Sequence, residues 1–141
     1  MTKVDCSKVY VDISSFSTSN NRIYGVFAKV DIKVGELVEK GLMCRLSDSN
    51  NKVFDGIKNQ FVFTWSDDKP NHTWAFWSGC STFYNTGLES NTNTHMVRFF
   101  DEDRFEIYAT KNIKAGDEIT HTYKSLKWRD AFAPLYNELK N

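Results

Sequence analysis

Three residues of this chain have side chains and surroundings that suit the binding of a small charged molecule. Tyr123 ends a predicted strand behind a glycine turn, where its hydroxyl could orient an incoming polar group. Asn85 stands among turn-forming residues, and its amide offers both a donor and an acceptor. Gly25 has no β-carbon and could let a ligand approach the backbone closely. Each also has a purely structural interpretation, as a half-buried strand tyrosine, a turn asparagine and an ordinary strand or turn glycine.

Four aromatic residues could form the walls of a site for a cation. The rings of Tyr24, Phe61, Tyr84 and Trp128 could hold an ammonium group through cation–π contact and pack against its aliphatic stem. The alternative is that these rings belong to the hydrophobic core, and for Phe61 both alternatives stay open.

The histidines and cysteines do not form a metal-binding pattern. The three cysteines are widely spaced: Cys6, Cys44 and Cys80. Without a C-x-x-C pair they argue against both a disulfide framework and a zinc site. His72 and His95 lie in polar segments, while His121 shares one strand face with Tyr123. For His121 a packed core residue is favoured over a proton-accepting base.

The overall composition predicts one globular domain and excludes several classes of partner. Eighteen basic and eighteen acidic residues cancel, so neither a nucleic acid nor a membrane surface is expected to bind. Of the 141 residues, 40% are hydrophobic and 15% aromatic, which is typical of a folded chain. With no long apolar run and no signal-peptide pattern, we expect a soluble intracellular protein of the cytoplasm or a host nucleus.

Short alternating or β-branched runs separated by turn residues predict a mainly-β fold. The predicted strands cover residues 9–13, 24–30, 37–46, 61–65, 96–100, 104–110 and 119–123, and residues 73–78 form a further apolar run. Polar loops or turns are predicted at 14–21, 47–52 and 66–72. One helix is predicted at the end, because apolar residues between Leu126 and Leu139 recur at helical spacing. Pro134 should start a new turn there or kink the helix.

Two segments have the same pattern of an isoleucine, a lysine, a glycine and an acidic residue. They read Asp-Ile-Lys-Val-Gly-Glu at 31–36 and Asn-Ile-Lys-Ala-Gly-Asp at 112–117. Either they are two similar tight turns, in which glycine supplies a positive φ, or they are a pair that belongs to one particular fold.

Three motifs, in this order, resemble the SET domain of protein lysine methyltransferases, and in particular the small stand-alone SET proteins of large DNA viruses and bacteria. The first is Tyr-Gly-Val-Phe-Ala at 24–28, and the second is the pair Asn85 and Asn91. The third is Gly-Asp-Glu-Ile at 116–119 followed by Tyr123. The resemblance runs from Asn21 to Trp128 and favours the paired-turn interpretation.

The chain departs from the family pattern in both of the first two motifs. Ile23 replaces the first glycine, and Thr86, Gly87 and Ser90 replace the histidine, serine and proline of the central motif. Trp128 matches an aromatic that follows the tyrosine in members without zinc-binding cysteines, and no such cysteines are present here.

The resemblance implies a mainly-β, β-clip-like SET fold of short strands. A threaded pseudoknot would pack 85–91 against 119–123, and a helix would follow at the C-terminus. We expect an N-terminal extension or edge strand at 1–20, the SET domain at 21–124 and a flanking helix at 125–141, all within one compact unit.

The resemblance also implies S-adenosylmethionine-dependent methylation of lysine side chains, with Tyr123 as the catalytic residue. Cofactor contacts are expected from five residues: Tyr24, Gly25, Asn85, Thr86 and Trp128. The lysine channel would be lined by Phe61, Tyr84 and Tyr123. Because Phe61 has no hydroxyl to hold a water beside the amine, transfer of more than one methyl group is expected.

The expected partner is a protein with a basic, lysine-bearing tail, for example a histone tail. The viral members dimerise, but the sequence identifies no interface, so a monomer and a homodimer both stay open. The alternative is a SET-fold binding module that has lost catalysis, a reading supported by Thr86 in place of histidine.

Overall fold

The computed structural model describes residues 2–58, 61–66 and 72–141, which form two antiparallel sheets. The first sheet has the order β1-β2-β8, with β1 at Val9–Ile13, β2 at Tyr24–Ala28 and β8 at Glu118–Ile119. β1 pairs with β2 along its whole length, from Val9 opposite Ala28 to Ile13 opposite Tyr24. The N-terminal residues therefore extend the sheet that carries the first and third motifs.

The second sheet has five strands in the order β4-β5-β3-β7-β6. The strands are β3 at Leu37–Arg45, β4 at Phe63–Thr64, β5 at Trp74–Trp77, β6 at Thr94–Phe99 and β7 at Arg104–Ala109. The predicted hairpin is present, because β6 and β7 pair from Thr94–Ala109 to Phe99–Arg104. A register shift between Leu37 and Glu39 lets two successive residues of β3 face inward, so that Glu39 is buried.

Two helices complete the described chain. Helix α1, Asp48–Phe54, is a correction to the loop predicted at 47–52. The helix begins after an N-cap residue, because the Ser47 side chain accepts a hydrogen bond from the Asn50 amide. Its polar sequence resembles that of a loop. Helix α2, Ala133–Lys140, has its proline in the first turn, so Pro134 starts the helix as one of the two predicted alternatives. Instead of the earlier part of the predicted helix, residues 124–128 form turns and Asp130–Phe132 forms a short 3-10 helix.

Alternating inward-facing residues of both sheets make one core. Its buried members are Val9, Val26, Ala28, Ile32, Val38, Met43, Trp65, Ala75, Trp77, Tyr84, Phe105, Ile107, Ala109, Ile113 and Ile119. Strand β7 shows the pattern most clearly, because Phe105, Ile107 and Ala109 are buried while the residues between them are partly exposed. The predicted turn at 66–72 lies largely outside the described residues.

The two similar glycine turns pack directly against each other. The Ile32 amide donates to the Ile113 carbonyl at 2.8 Å, and the Ile113 amide donates to the Ile32 carbonyl at 2.8 Å. Gly35 and Gly116 have φ angles of 87° and 90°, which a residue with a β-carbon would adopt only with strain. The turns are therefore a structural pair that joins the start of β3 to the start of β8.

The chain around β8 is threaded through a loop. Thr120 forms a parallel bridge with Asn85 on one side, and His121 forms a parallel bridge with Thr94 on the other. Residues 118–123 thus pass between the two ends of the loop 86–93, which closes over them. The predicted pseudoknot is confirmed, and it places Tyr123 beside Asn85 although the two are far apart in sequence.

Candidate functional site

The Tyr123 hydroxyl is held by the backbone next to Asn85. It donates a hydrogen bond of 2.5 Å to the Tyr84 carbonyl. Burial raises the pKa of Tyr123 above its ordinary value, so the hydroxyl stays protonated at neutral pH. Because its proton is committed to a carbonyl, its oxygen can still accept a hydrogen bond from a ligand N–H. This arrangement suits the orientation of an amine rather than the removal of a proton.

Thr86 links the central motif to Tyr123. Its hydroxyl oxygen accepts a hydrogen bond of 3.0 Å from the Tyr123 amide, and the residue is 6% exposed. The threonine in place of the family's histidine therefore has a definite structural role, because it fixes the backbone at Tyr123. Its predicted contact with a cofactor stays a prediction.

The Asn85 side chain is fixed by three acceptors. Its Nδ2 atom lies 2.9 Å from the Tyr24 carbonyl, 3.1 Å from Glu118 Oε1 and 3.2 Å from Ser14 Oγ. These partners assign the amide orientation, since a carbonyl and a carboxylate can only accept. The amide oxygen is thereby turned away from them. Tyr24, Gly25 and Asn85, three of the predicted cofactor residues, do lie together.

Gly25 is required for a reason that differs from the one expected. A β-carbon built on Gly25 would lie 2.1 Å from Glu118 Oε1 and 3.1 Å from Asn85 Nδ2. The group that approaches this backbone closely is thus the Glu118 carboxylate. The Tyr24 ring is 52% exposed and meets Phe83 edge-on at 6.3 Å, so one aromatic face stays available beside the glycine.

The sequence analysis placed Glu118 in the third motif without a role of its own, and Ser14 and Ser15 in a polar loop, yet all three reach this place. Ser14 Oγ donates to Glu118 Oε1 at 2.6 Å, while the Ser15 amide and hydroxyl donate to Oε2 at 2.9 and 2.5 Å. Burial raises the pKa of Glu118, but hydrogen bonds from Ser14, Ser15 and Asn85 outweigh it and hold the pKa below its usual value. The only sequence signal was the glutamate after the glycine turn.

Tyr84 contributes its backbone more clearly than its ring. The ring is 1% exposed within the core, and its hydroxyl donates to Glu39 Oε1 at 2.9 Å. Glu39 also accepts a 3.0 Å bond from the Cys80 amide. Burial raises the pKa of Glu39 to about 7, although both hydrogen bonds oppose that rise. The predicted role of the Tyr84 ring as a channel wall stays a prediction, which its place in the core does not favour.

His121 is a core residue, as the sequence favoured. It is 3% exposed, and its ring lies 5.3 Å from the Tyr123 ring. Burial, followed by the nearby charge of Arg98, lowers the pKa of His121 to about 3. Its Nε2 atom has no hydrogen-bond partner in the described part of the chain. So weak a base is a poor acceptor for the proton of an amine.

Trp128 and Phe61, the remaining predicted site residues, have different surroundings. The Trp128 ring stacks on His72 at 4.5 Å, and the Phe61 side chain is 66% exposed. Their predicted roles at the cofactor and in the channel stay predictions. The segment that contains Trp128 is anchored by Arg129, which is 2% exposed and donates to the Gly56 and Val62 carbonyls at 2.8 Å each.

An open cleft of about 1260 Å³ lies beside Tyr123, between β6, the chain after β8 and helix α2. Its cationic lining residues are Arg98, Lys111, Lys124, Lys127 and Lys140. Among the described residues, no aspartate or glutamate belongs to this lining. The cleft is therefore positive in a chain whose formal net charge is zero.

The order of the motifs, the paired turns and the threaded strand agree with a family match. The family model of the SET domain matches residues 23–124 of this chain. The chain belongs to the SET domain family. Residues 1–22, which include β1 and the serines that bind Glu118, lie before the matched segment. The predicted boundaries of the extension and the flanking helix stay predictions.

Solved structures show the same fold at low sequence identity. A candidate histone methyltransferase of Plasmodium falciparum is 21% identical with a TM-score of 0.56, over 83% of this chain and 97% of that one. A PRC2 structure with H3K27me3 and H3K27M is 24% identical with a TM-score of 0.63, over 84% of this chain and 14% of that one. An inhibitor-bound Polycomb Repressive Complex 2 of Chaetomium thermophilum is 22% identical with a TM-score of 0.60, over 83% and 15%. The SET domain protein thus spans about one-seventh of the PRC2 chains that it matches. No curated protein matches it.

The described residues offer neither a metal site nor a membrane-spanning helix. Within 2–58, 61–66 and 72–141, no three His, Cys, Asp or Glu side chains are placed to hold a metal ion together. No helix of these residues has the length and apolar character that a membrane span needs.

Proposed function

We propose that this SET domain protein is an S-adenosylmethionine-dependent methyltransferase that acts on lysine side chains of a protein. The observation that carries the proposal is the Tyr123 hydroxyl, held on the Tyr84 carbonyl immediately before Asn85. The family membership and the likeness to histone methyltransferase structures support it.

The described residues suit the binding of the cofactor's amino-acid part. The Asn85 amide oxygen faces away from its protein partners, and the Tyr24 ring is exposed beside Gly25. These groups, with the backbone of Thr86, would hold a ligand that carries an ammonium, a carboxylate and a flat ring. We further propose that Trp128 completes the cofactor site, although its ring lies on His72 here.

Catalysis by this chain would consist of positioning. When bound, S-adenosylmethionine supplies a sulfonium methyl group, so that an N–C bond forms as the C–S bond breaks and sulfur keeps the electron pair. Tyr123 accepts a hydrogen bond from the amine and aligns its lone pair, which is worth more than any acid–base step in such a displacement. Because burial lowers the pKa of His121 to about 3, this histidine is not expected to take the proton of the amine, and the substrate lysine would have to react in its neutral form.

The substrate class is proposed more broadly than the sequence suggested. The family resemblance implies a basic tail, such as a histone tail, with Phe61 and Tyr123 lining the channel. The lysines around the cleft beside Tyr123 would repel such a tail and favour acidic flanks. A substrate panel should therefore hold one central lysine constant and vary the flanking charge in both directions.

The deciding experiment combines binding and turnover. Isothermal titration calorimetry of the protein with S-adenosylmethionine should show binding, which Asn85→Ala should weaken. In the peptide panel, Tyr123→Phe should lower turnover by about 100-fold or more while circular dichroism stays unchanged. Tyr10→Phe, which changes a tyrosine stacked on Phe27 in the first sheet, should leave turnover intact.

The second candidate function is a SET-fold binding module without catalysis, favoured by Thr86 in place of histidine. A folded protein that does not bind S-adenosylmethionine would support this alternative and refute the enzyme. Sedimentation velocity over a concentration series would distinguish a monomer from the homodimer that the resemblance to the viral members leaves open.

A further inference from the structure

Residues that precede the matched SET segment reach into the candidate cofactor site. Ser14 is 3% exposed, and its hydroxyl binds a carboxylate oxygen of Glu118, 104 positions later in the chain. Ser15 binds the other carboxylate oxygen through both its amide and its hydroxyl. Both oxygens of Glu118 are therefore held by two successive residues of the N-terminal extension.

The loop that carries these serines is closed onto the start of β2. The Ser14 amide donates to the Ile23 carbonyl at 2.9 Å. Ser17 donates to the same carbonyl at 2.9 Å and accepts from the Ile23 amide at 3.0 Å. The serines are thus placed by the residue that leads directly into Tyr24, and their position is coupled to that of the first motif.

Glu118 transmits this placement to Asn85. Its Oε1 atom lies 3.1 Å from Asn85 Nδ2, and Ser14 Oγ lies 3.2 Å from the same nitrogen. With the Tyr24 carbonyl, these two acceptors occupy the amide's hydrogen side and leave Asn85 Oδ1 facing away. The carboxylate has only neutral donors around it, and no ion pair to it occurs within the described residues. Four donors therefore fill the acceptor positions of the carboxylate, and its role is to hold Asn85 Nδ2 in place.

We propose that Ser14 and Ser15 are positioning residues of the cofactor site. They hold Glu118, which fixes Asn85 Nδ2 so that Asn85 Oδ1 is presented as the acceptor for the ammonium group of an α-amino acid moiety. This inference rests on the proposed function, since the moiety in question is that of S-adenosylmethionine.

The test compares two ligands that differ in that moiety. S-adenosylmethionine carries the ammonium group, whereas 5′-methylthioadenosine keeps the nucleoside and sulfur but lacks the amino acid. Calorimetry should show that Ser14→Ala and Glu118→Gln weaken S-adenosylmethionine about 10- to 100-fold, the loss expected when a hydrogen bond to the charged ammonium group is misplaced. The same variants should leave methylthioadenosine within about twofold, because its contacts lie elsewhere.

Two matched variants separate positioning from loop stability. Thr18→Ala removes a side-chain contact with the Asn21 amide in the same loop but touches neither Ile23, Glu118 nor Asn85, so it should leave both affinities unchanged. Ser14→Thr keeps the hydroxyl and should restore binding. The KM for S-adenosylmethionine should rise in Ser14→Ala while kcat changes little, because the variant leaves the Tyr123 hydroxyl and its bond to the Tyr84 carbonyl in place.

Each outcome has a definite meaning. If the wild-type protein binds S-adenosylmethionine and all serine variants bind it equally well, the inference is overturned while the proposed function stands. If both ligands weaken together, the serines act only through loop stability and the inference is again overturned. If the folded wild-type protein binds neither ligand, the proposed function itself fails.

Discussion

Glu39→Gln should change how the stability of this SET domain protein depends on pH. Glu39 is fully buried, and its carboxylate accepts hydrogen bonds from the Tyr84 hydroxyl and the Cys80 amide without a cation beside it. Its pKa rises from 4.5 to about 7, with burial as the main cause. The groups that face it are Tyr84, Cys80, Cys6 and Asp5, none of which is positively charged.

The sign and size of this change in pH-dependent stability follow from proton linkage. Between pH 4.5 and about 7 the folded protein holds a proton on Glu39 that the unfolded chain has lost. The contribution of Glu39 to the free energy of unfolding is therefore at its maximum below pH 4.5 and is lost as the pH rises through 7. At about 1.4 kcal/mol per pH unit, the loss amounts to about 3 kcal/mol. Glutamine carries no charge and avoids this loss, but it forfeits one acceptor at a cost of about 1 kcal/mol.

Urea unfolding at a series of pH values measures the effect. We expect Glu39→Gln to be about 1 kcal/mol less stable than wild type at pH 4.5 and about 2 kcal/mol more stable at pH 8. Subtracting wild type from variant at each pH removes the contribution of His121, which has the opposite sign. Glu138→Gln, at an exposed position of α2, is the control and should give a flat difference. A flat difference for Glu39→Gln as well would refute the buried-carboxylate reasoning.

Three further perturbations test the packing around the site. His121→Leu should abolish the loss of stability that wild type undergoes as the pH falls from 6.5 towards 3, because the histidine is buried uncharged with a pKa of about 3. Acid unfolding monitored by circular dichroism measures this difference. Gly56→Ala should lower the free energy of unfolding by about 1 to 3 kcal/mol in thermal unfolding, since its β-carbon would lie 2.1 Å from the Trp74 ring. Gly87→Ala is the control and should lower it less, because the nearest atom to its β-carbon is 3.4 Å away. Arg129→Met should lower the free energy of unfolding by about 2 to 4 kcal/mol, because two buried carbonyls lose a charged donor; equal stability in urea would contradict this account.

Most strands could be predicted from the sequence, because alternation and β-branched residues within each strand indicate it without reference to distant residues. The run Val9–Ile13 and the hairpin of β6 and β7 carry alternating or β-branched residues that only a sheet satisfies. Helix α1 was missed because its residues, Asp48–Phe54, are mostly polar and bury no side chain. Its one signal was Ser47 as an N-cap, which also suits a turn.

Site residues that stand in a short sequence motif could be predicted. Site contacts between residues far apart in the sequence could not. Tyr123 and Asn85 were found because each stands in a motif, and the threading brings them together. Nothing local joins Ser14 to Glu118, because their contact depends on the pairing of β1 with β2 and of β2 with β8. Glu39 was missed for a related reason, since only the register shift in β3 turns it inward.

The threaded strand sets an order in which the protein can fold. The loop 86–93 encloses residues 118–123, so the bridges of Asn85 to Thr120 and of Thr94 to His121 can form only after the C-terminal third has been synthesised and has crossed the loop. Such long-range closure is slow, because the chain entropy is lost before the contacts repay it. A nascent chain that stops before residue 118 could pair β3 with β7 and still lack every contact that holds Tyr123. The activity proposed for this protein would therefore be the last property acquired during folding and the first lost when the C-terminal segment withdraws.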